Sequence, residues 1–397
     1  MIAVLTKNKQ IVLVSVIVVL LLALFVFLPK LLSSHYAVKE SPSPIVATET
    51  EPTSPIFKPS YVTTPEPLKS IYMTSWVASN GKLRSGLVDL IDTTEINAVV
   101  IDIKDYSGKL VFSLADNPEL RAFGSEEIRV PDMRDFIESL HKKGIYVIGR
   151  VAVFQDAYFV KHRPDLAVKN SAGTEVWKDR KGISWIDVGA KEYWDYIIQV
   201  SLASRKIGFD EINFDYIRFP SDGNMKDISF PMSSTTPKHI ALREFFRYLD
   251  THLEGSGLTT SADLFGMTTT AQDDMGIGQL LEDALPYFDY IMPMVYPSHY
   301  PATFMGYSNP SKYPYEVIQY TMKSAVDRAE LLASTTGQSQ IEYKNKLRPW
   351  LQDFDLGADY GPAEVRAQIK ATNDVGLTSW ALWSASNKYT RGALNAE

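Results

Sequence analysis

Gly208-Phe-Asp-Glu-Ile-Asn-Phe-Asp-Tyr-Ile-Arg-Phe-Pro220 decides the reading of the fold. Gly208 closes a helical stretch and releases the chain into a short apolar run, as a left-handed helix cap does. A buried strand does not carry three acids in six residues, Asp210, Glu211 and Asp215, without a reason. Side chains alternate along a strand, so Glu211, Asn213 and Asp215 share one face and Ile212 and Phe214 the other. Asp215 falls at the strand's C-terminal end.

The same helix–Gly–strand step recurs at Gly144 and Gly376. Working outward, β-rich runs are expected at Ile71–Trp76, Ala98–Ile103, Ile145–Ala152, Phe209–Asp215, Thr259–Leu264, Tyr290–Val295, Leu347–Leu351 and Leu377–Leu382. Between them lie apolar stripes at helical spacing, such as Met133, Phe136, Ile137 and Leu140; Ile240, Phe246, Leu249 and Leu253; and Val365, Ile369 and Thr372. Pro131, Pro237 and Pro362 stand where helices begin. Strand and helix alternating in this way predict parallel β/α units. Eight of them over residues 70–397 give an α/β chain of the (β/α)₈ TIM-barrel class. The eighth helix is nearly missing, because few residues remain after Ser384. An open nucleotide-binding sheet is disfavoured, since no Gly-rich phosphate loop follows the first strand.

Ahead of the barrel, Ile11–Leu28 is an uncharged apolar run. As a helix it would span about 27 Å, close to the hydrocarbon thickness of a bilayer. Lys7 and Lys9 precede it, which predicts a cytoplasmic tail over 1–10 and a transmembrane anchor over 11–28. Residues 29–69 form a Pro/Ser/Thr-rich linker with Pro42, Pro44, Pro52, Pro55, Pro59, Pro65 and Pro67. Such a composition predicts a disordered, extended stalk. The barrel is therefore expected outside the cytoplasmic membrane, tethered to it.

With 40 basic and 47 acidic side chains the formal charge is −7, which disfavours nucleic acid as the main ligand. Cysteine is absent, excluding disulfides, thiol nucleophiles and Cys-rich metal sites. The six histidines show no metal-ligand spacing, so neither a metal nor another cofactor is expected.

In a barrel of this class, reactive groups project from the C-terminal strand ends. Asp215 is the leading candidate, a carboxylate suited to act as nucleophile or oxocarbenium stabiliser, with Arg218 expected to pair with it. Asp263, ending the fifth strand, is the candidate partner acid, and Asp353, ending the seventh, a second one. Trp76, Tyr296, Trp350 and Trp383 are strand-end rings able to stack on sugar faces. His299 is the histidine placed to meet a substrate hydroxyl. Asp102 could bind substrate or join a salt-bridged cluster with Asp105 and Lys104. Arg150 could contact ligand or, as the favoured reading, neutralise Glu211 inside the barrel.

Several stretches together resemble a bacterial family described as a putative glycosyl hydrolase domain. They include Asn97-Ala-Val-Val-Ile-Asp-Ile-Lys-Asp105, Gly149-Arg-Val-Ala-Val-Phe-Gln-Asp156, Trp177-Lys-Asp-Arg-Lys-Gly182 and Trp185-Ile-Asp187. The Phe209–Pro220 strand, Met292-Pro-Met-Val-Tyr-Pro-Ser-His-Tyr300 and Arg348-Pro-Trp-Leu-Gln-Asp353 continue the likeness. It spans residues 70–385 in order and implies a TIM barrel related to glycoside hydrolases, exported and associated with the membrane. A chitinase-like D-x-x-D-x-D-x-E laid on residues 210–217 meets Asn213 and Ile217 in place of an Asp and the Glu, which disfavours that chemistry. In alpha-amylase-like barrels the acids end strands four, five and seven, where Asp215, Asp263 and Asp353 fall. The leading expectation is a membrane-anchored glycoside hydrolase acting on a polysaccharide with two carboxyl groups. The rival is a non-catalytic carbohydrate-binding or envelope-tethering protein on the same scaffold.

Overall fold

A computed structural model describes residues 57–396. The tail expected at 1–10, the anchor at 11–28 and the linker up to residue 56 lie outside the described residues. Among the described residues, no helix is long and apolar enough to cross a membrane.

Eight parallel strands close into a barrel in sequence order. They are β1 Lys69–Met73, β2 Ala98–Lys104, β3 Tyr146–Ala152, β4 Glu211–Asp215, β5 Thr259–Phe265, β6 Tyr290–Met294, β7 Trp350–Gln352 and β8 Trp380–Trp383. Closure runs through Lys69–Trp380, Ser70–Ala381 and Ile71–Leu382. Every residue of β2 and β3 is buried, because helices cover the outer face and side chains fill the inside. The helix Met133–His141 buries the four apolar residues whose spacing predicts it. The helix Lys191–Ile207 ends at Gly208, which takes φ 117° and hands the chain to β4. After β8 only a short 3₁₀ turn, Arg391–Ala393, remains of an eighth helix.

Of the strand ends that differ from expectation, two have a clear local reason. β1 stops at Met73 because the Thr74 hydroxyl accepts from the Val77 amide and caps the helix Ser75–Ser79, which carries Trp76. β7 begins at Trp350, since Pro349 has no N–H to enter the ladder.

The last part of the expected linker, residues 58–68, belongs to the folded unit. It lies across the barrel's N-terminal end. The Val62 amide donates to Asp210 Oδ1 at 2.9 Å, Thr64 Oγ1 donates to the Tyr146 hydroxyl at 3.1 Å, and Leu68 is fully buried. Tyr61 packs its ring under the Arg205 guanidinium, 3.3 Å from it. A composition dominated by Pro, Ser and Thr masks these apolar and aromatic anchors.

The lower interior holds an ion pair, Arg348 Nη1 to Glu211 Oε2 at 2.9 Å, with the Tyr146 hydroxyl also donating to Glu211. Arg348, not Arg150, therefore neutralises Glu211. Removing either partner of such a fully buried pair costs about 3–5 kcal/mol. With its charge compensated below, the barrel leaves Arg150 free for the level above.

Candidate active site

The upper interior is organised around Arg150 on β3. Its Nη1 donates to Asp102 Oδ1 at 2.6 Å, its Nη2 donates to Asp215 Oδ2, and its Nε lies 3.9 Å from Asp263 Oδ2. One guanidinium thus faces carboxyl groups from β2, β4 and β5. The Tyr72 hydroxyl on β1 donates to the other oxygen of Asp102. Register explains the convergence. Asp102 pairs with Arg150, Arg150 with Asn213, and Ala152 with Asp215, so side chains of like parity meet inside the barrel at stepped heights.

Asp215 lines an open cavity of about 310 Å³ together with Arg150, Arg218, Tyr296, His299 and Trp383. Its Oδ1 accepts from the Tyr216 amide at 2.5 Å. Tyr216 takes φ 53°, a left-handed conformation costly for a bulky residue. The backbone holds it there: Val153 N donates to Asp215 O at 2.8 Å and Phe154 N to Tyr216 O at 3.2 Å. This kink turns the following residues away from Asp215. Arg218 consequently does not pair with Asp215. Its Nη1 donates to Phe219 O at 3.1 Å and Ser221 Oγ at 3.0 Å.

Asp263 is 1% exposed and sits beside Asp215 rather than on the cavity wall. Its Oδ1 accepts from Trp350 Nε1 at 2.7 Å and from Asn213 Nδ2 at 2.8 Å. Burial, and then the Asp215 carboxylate, push its pKa well above the usual carboxylate range, against the pull of Arg150. Its Oδ1 thus takes two N–H donors, while Oδ2 lies 3.9 Å from Arg150 Nε. Asp102 is also raised by burial, with Arg150 and Tyr72 opposing the rise.

The remaining candidates separate clearly. Trp383 lines the cavity and stacks on Tyr72, with ring centroids 4.0 Å apart and planes at 19°. Tyr296 lines it too, at 5.2 Å and edge-on to His299, whose pKa is lowered by burial. Trp350 is fully buried and offers its indole N–H to Asp263, so it is a positioning donor and not a stacking surface. Asp353 is not brought into the cavity, because its two oxygens accept from the Thr390 amide at 2.9 Å and the Thr390 hydroxyl at 2.6 Å. Trp76 is 63% exposed and lies outside the cavity lining, under Arg129. Asp105 pairs with Arg129 at 2.7 Å and Lys104 with Asp156 at 2.8 Å, which dissolves the cluster expected around Asp102. Sequence reasoning missed Tyr72, whose signal was its alternation on β1, and the cavity walls Phe265, Met267 and Met294, which carry no motif.

The family profile described as "Putative glycosyl hydrolase domain" matches residues 70–389. A hypothetical protein from Ruminiclostridium thermocellum is 34% identical, covering 48% of this chain and 96% of its own, with a TM-score of 0.43. The glycoside hydrolase domain of PgaB from Bordetella bronchiseptica is 12% identical over 81% of this chain and 94% of its own, with a TM-score of 0.50. An alpha-L-fucosidase from Paenibacillus thiaminolyticus is 13% identical over 82% of this chain and 47% of its own, with a TM-score of 0.51. At these identities the last two likenesses speak for the barrel alone. No curated protein matches the chain.

Proposed function

The chain belongs to the putative glycosyl hydrolase domain family, and from that premise we propose that it cleaves a polysaccharide by two-carboxyl chemistry. One observation carries the reading: a single guanidinium lies between a cavity-facing carboxyl group, Asp215, and a neighbouring one, Asp263, whose pKa burial raises well above the usual range. A carboxyl group in the cavity beside a second one whose pKa burial raises is the kind of pair that acid-assisted glycoside cleavage uses. Asp215 is the nucleophile or the counterion of the oxocarbenium ion. Asp263 delivers its proton toward the departing oxygen. Trp383 supplies the flat face under the sugar ring, with Tyr296 beside it, ring centroids 6.5 Å apart, and His299 next to Tyr296. The cavity volume falls at the lower end of ligand-sized pockets, which suits a short stretch of glycan.

Full-length protein screened against envelope and storage polysaccharides should release new reducing ends, read by mass spectrometry. With an active polymer, kcat/KM should fall as pH rises through the raised pKa of Asp263, because a general acid must keep its proton. Turnover that instead rises steadily with pH would remove Asp263 as the acid. A second reading is supported by the coverage of Asp263 and the capture of Asp353 by Thr390: a carbohydrate-binding protein without turnover. Saturable glycan binding with no cleavage across the screen would establish that reading in place of hydrolysis.

We further propose that residues 11–28 anchor the chain and that the barrel works outside the cytoplasmic membrane, on the strength of the uncharged run and the lysines before it. Protease added to intact spheroplasts should release a folded fragment beginning near residue 58. Protection of the barrel until the membrane is lysed would overturn this topology.

A further inference from the structure

Arg218 is the cavity's second cation, and it is placed differently from Arg150. Its guanidinium lies among three rings, 4.7 Å from the centroid of Phe265, 4.9 Å from Trp185 and 5.2 Å from Tyr216. Among the described residues it makes no ion pair. The nearby carboxylates are engaged elsewhere or stand off. Asp215 is held by Arg150. Asp179 has its Oδ1 taken by the Lys181 and Ile183 amides and its Oδ2 by Gln155 and Trp185. Asp222, on the exposed loop, stands off from the guanidinium.

The hydrogen bonds that Arg218 does make all use Nη1. Among the described residues nothing bonds to the edge formed by Nε and Nη2, and the residue lines the cavity wall. Two parallel N–H donors on one planar edge match the two oxygens of a carboxylate. The three rings hold that edge in one orientation and contribute cation–π attraction. Burying a guanidinium against apolar rings carries a desolvation cost that a bound anion would offset.

We infer that Arg218 selects substrate: the glycan cleaved at Asp215 carries a carboxylate, as in a hexuronate unit, that docks on the Nε/Nη2 edge of Arg218. This rests on the hydrolase reading for the cleavage and on Arg218 alone for the charge preference, so the two are tested separately.

The test compares uronate-containing oligosaccharides with the same oligosaccharides after carboxyl reduction, using the full-length protein. Sulfated oligosaccharides form a third arm. Binding is measured by calorimetry and cleavage by reducing-end release. Wild-type protein should prefer the uronate over its reduced form. In R218Q the KM for the uronate should rise at least about 30-fold, the lower end of the scale for losing one partner of a desolvated charge pair, with kcat changed far less. The same variant should lose the preference, its kcat/KM for the uronate falling to that for the reduced oligosaccharide. R218K should recover only part of the preference, because an ammonium is not a two-pronged edge. Equal binding of uronate and reduced forms by wild type overturns the inference while leaving hydrolysis of a neutral glycan standing. Charge-selective binding without cleavage of any arm supports Arg218 and rejects the hydrolase reading. Preference for the sulfated arm over the uronate overturns the carboxylate assignment. Circular dichroism and melting of R218Q show whether the loop survives the change. If it does not fold, the wild-type comparison of the three arms still decides.

Discussion

D215N should lose at least about 10²-fold in kcat while keeping its fold and most of its affinity for glycan. The substitution preserves shape and removes the charge that a developing oxocarbenium ion needs beside it. Loss of one electrostatic stabiliser costs on the order of 10²–10³ in rate, and loss of a nucleophile costs more. The fold should tolerate the change because Arg150 retains Asp102 at 2.6 Å, and the Asn side-chain oxygen can still accept from Nη2. A destabilisation of about 1–3 kcal/mol is expected from weakening a charge-assisted hydrogen bond. Rate and melting temperature must be taken on the same preparation. Near-normal turnover in a folded D215N would leave the mechanism without its central group.

R150M should show a larger effect on stability, and one that depends on pH. Removing the guanidinium strands Asp102 and Asp215 in an interior where each is less than 10% exposed. Truncating one member of a buried pair costs about 3–5 kcal/mol at neutral pH. Asp102 is already raised by burial with Arg150 present, and without Arg150 it rises further. A carboxyl whose folded value exceeds its unfolded value of about 3.9 binds more protons in the fold than in the unfolded chain, so stability falls as pH rises between the two. Acidification should therefore narrow the gap in melting temperature between R150M and wild type. A gap that does not change as pH is varied would mean that Arg150 contributes by packing and not by charge.

Most of the barrel was legible because its signals are local. Gly208, Gly144 and Gly376 each take the positive φ that a helix-to-strand release requires. The apolar runs lie on the observed strands to within a few residues. The exceptions, Pro349 ahead of β7 and Thr74 after β1, follow from a missing donor and a helix cap, both visible in sequence once looked for. Asp215 as the cavity carboxylate was legible too, through alternation on β4. Its partner was not. Sequence distance favours Arg218, three positions away, whereas barrel register brings in Arg150 from 65 positions upstream. The kink at Tyr216 decides between them, and a left-handed tyrosine has no sequence signature. Trp350 and Asp353 were misread for the same kind of reason. Whether a strand-end group meets solvent or a neighbour depends on residues such as Thr390, which lies 37 positions from Asp353.

The Tyr72–Asp102–Arg150–Asp215 chain, with Asp263 beside it, also constrains how this site can change over time. Its members come from five consecutive strands and share one proton and charge inventory. Single substitutions should therefore interact strongly, and double-mutant cycles across Asp102, Arg150 and Asp215 should depart from additivity by about 0.5–3 kcal/mol. A variant lacking Arg150 gains by losing Asp102 as well, so the second loss compensates the first. Evolutionary paths through this site are then ordered: neutral drift can reach the cavity rim one residue at a time, while the charged belt, like the Arg348–Glu211 pair below it, moves only in correlated steps. Grafting the Asp215–Asp263 pair onto another barrel should fail for the same reason unless the arginine on the third strand travels with it.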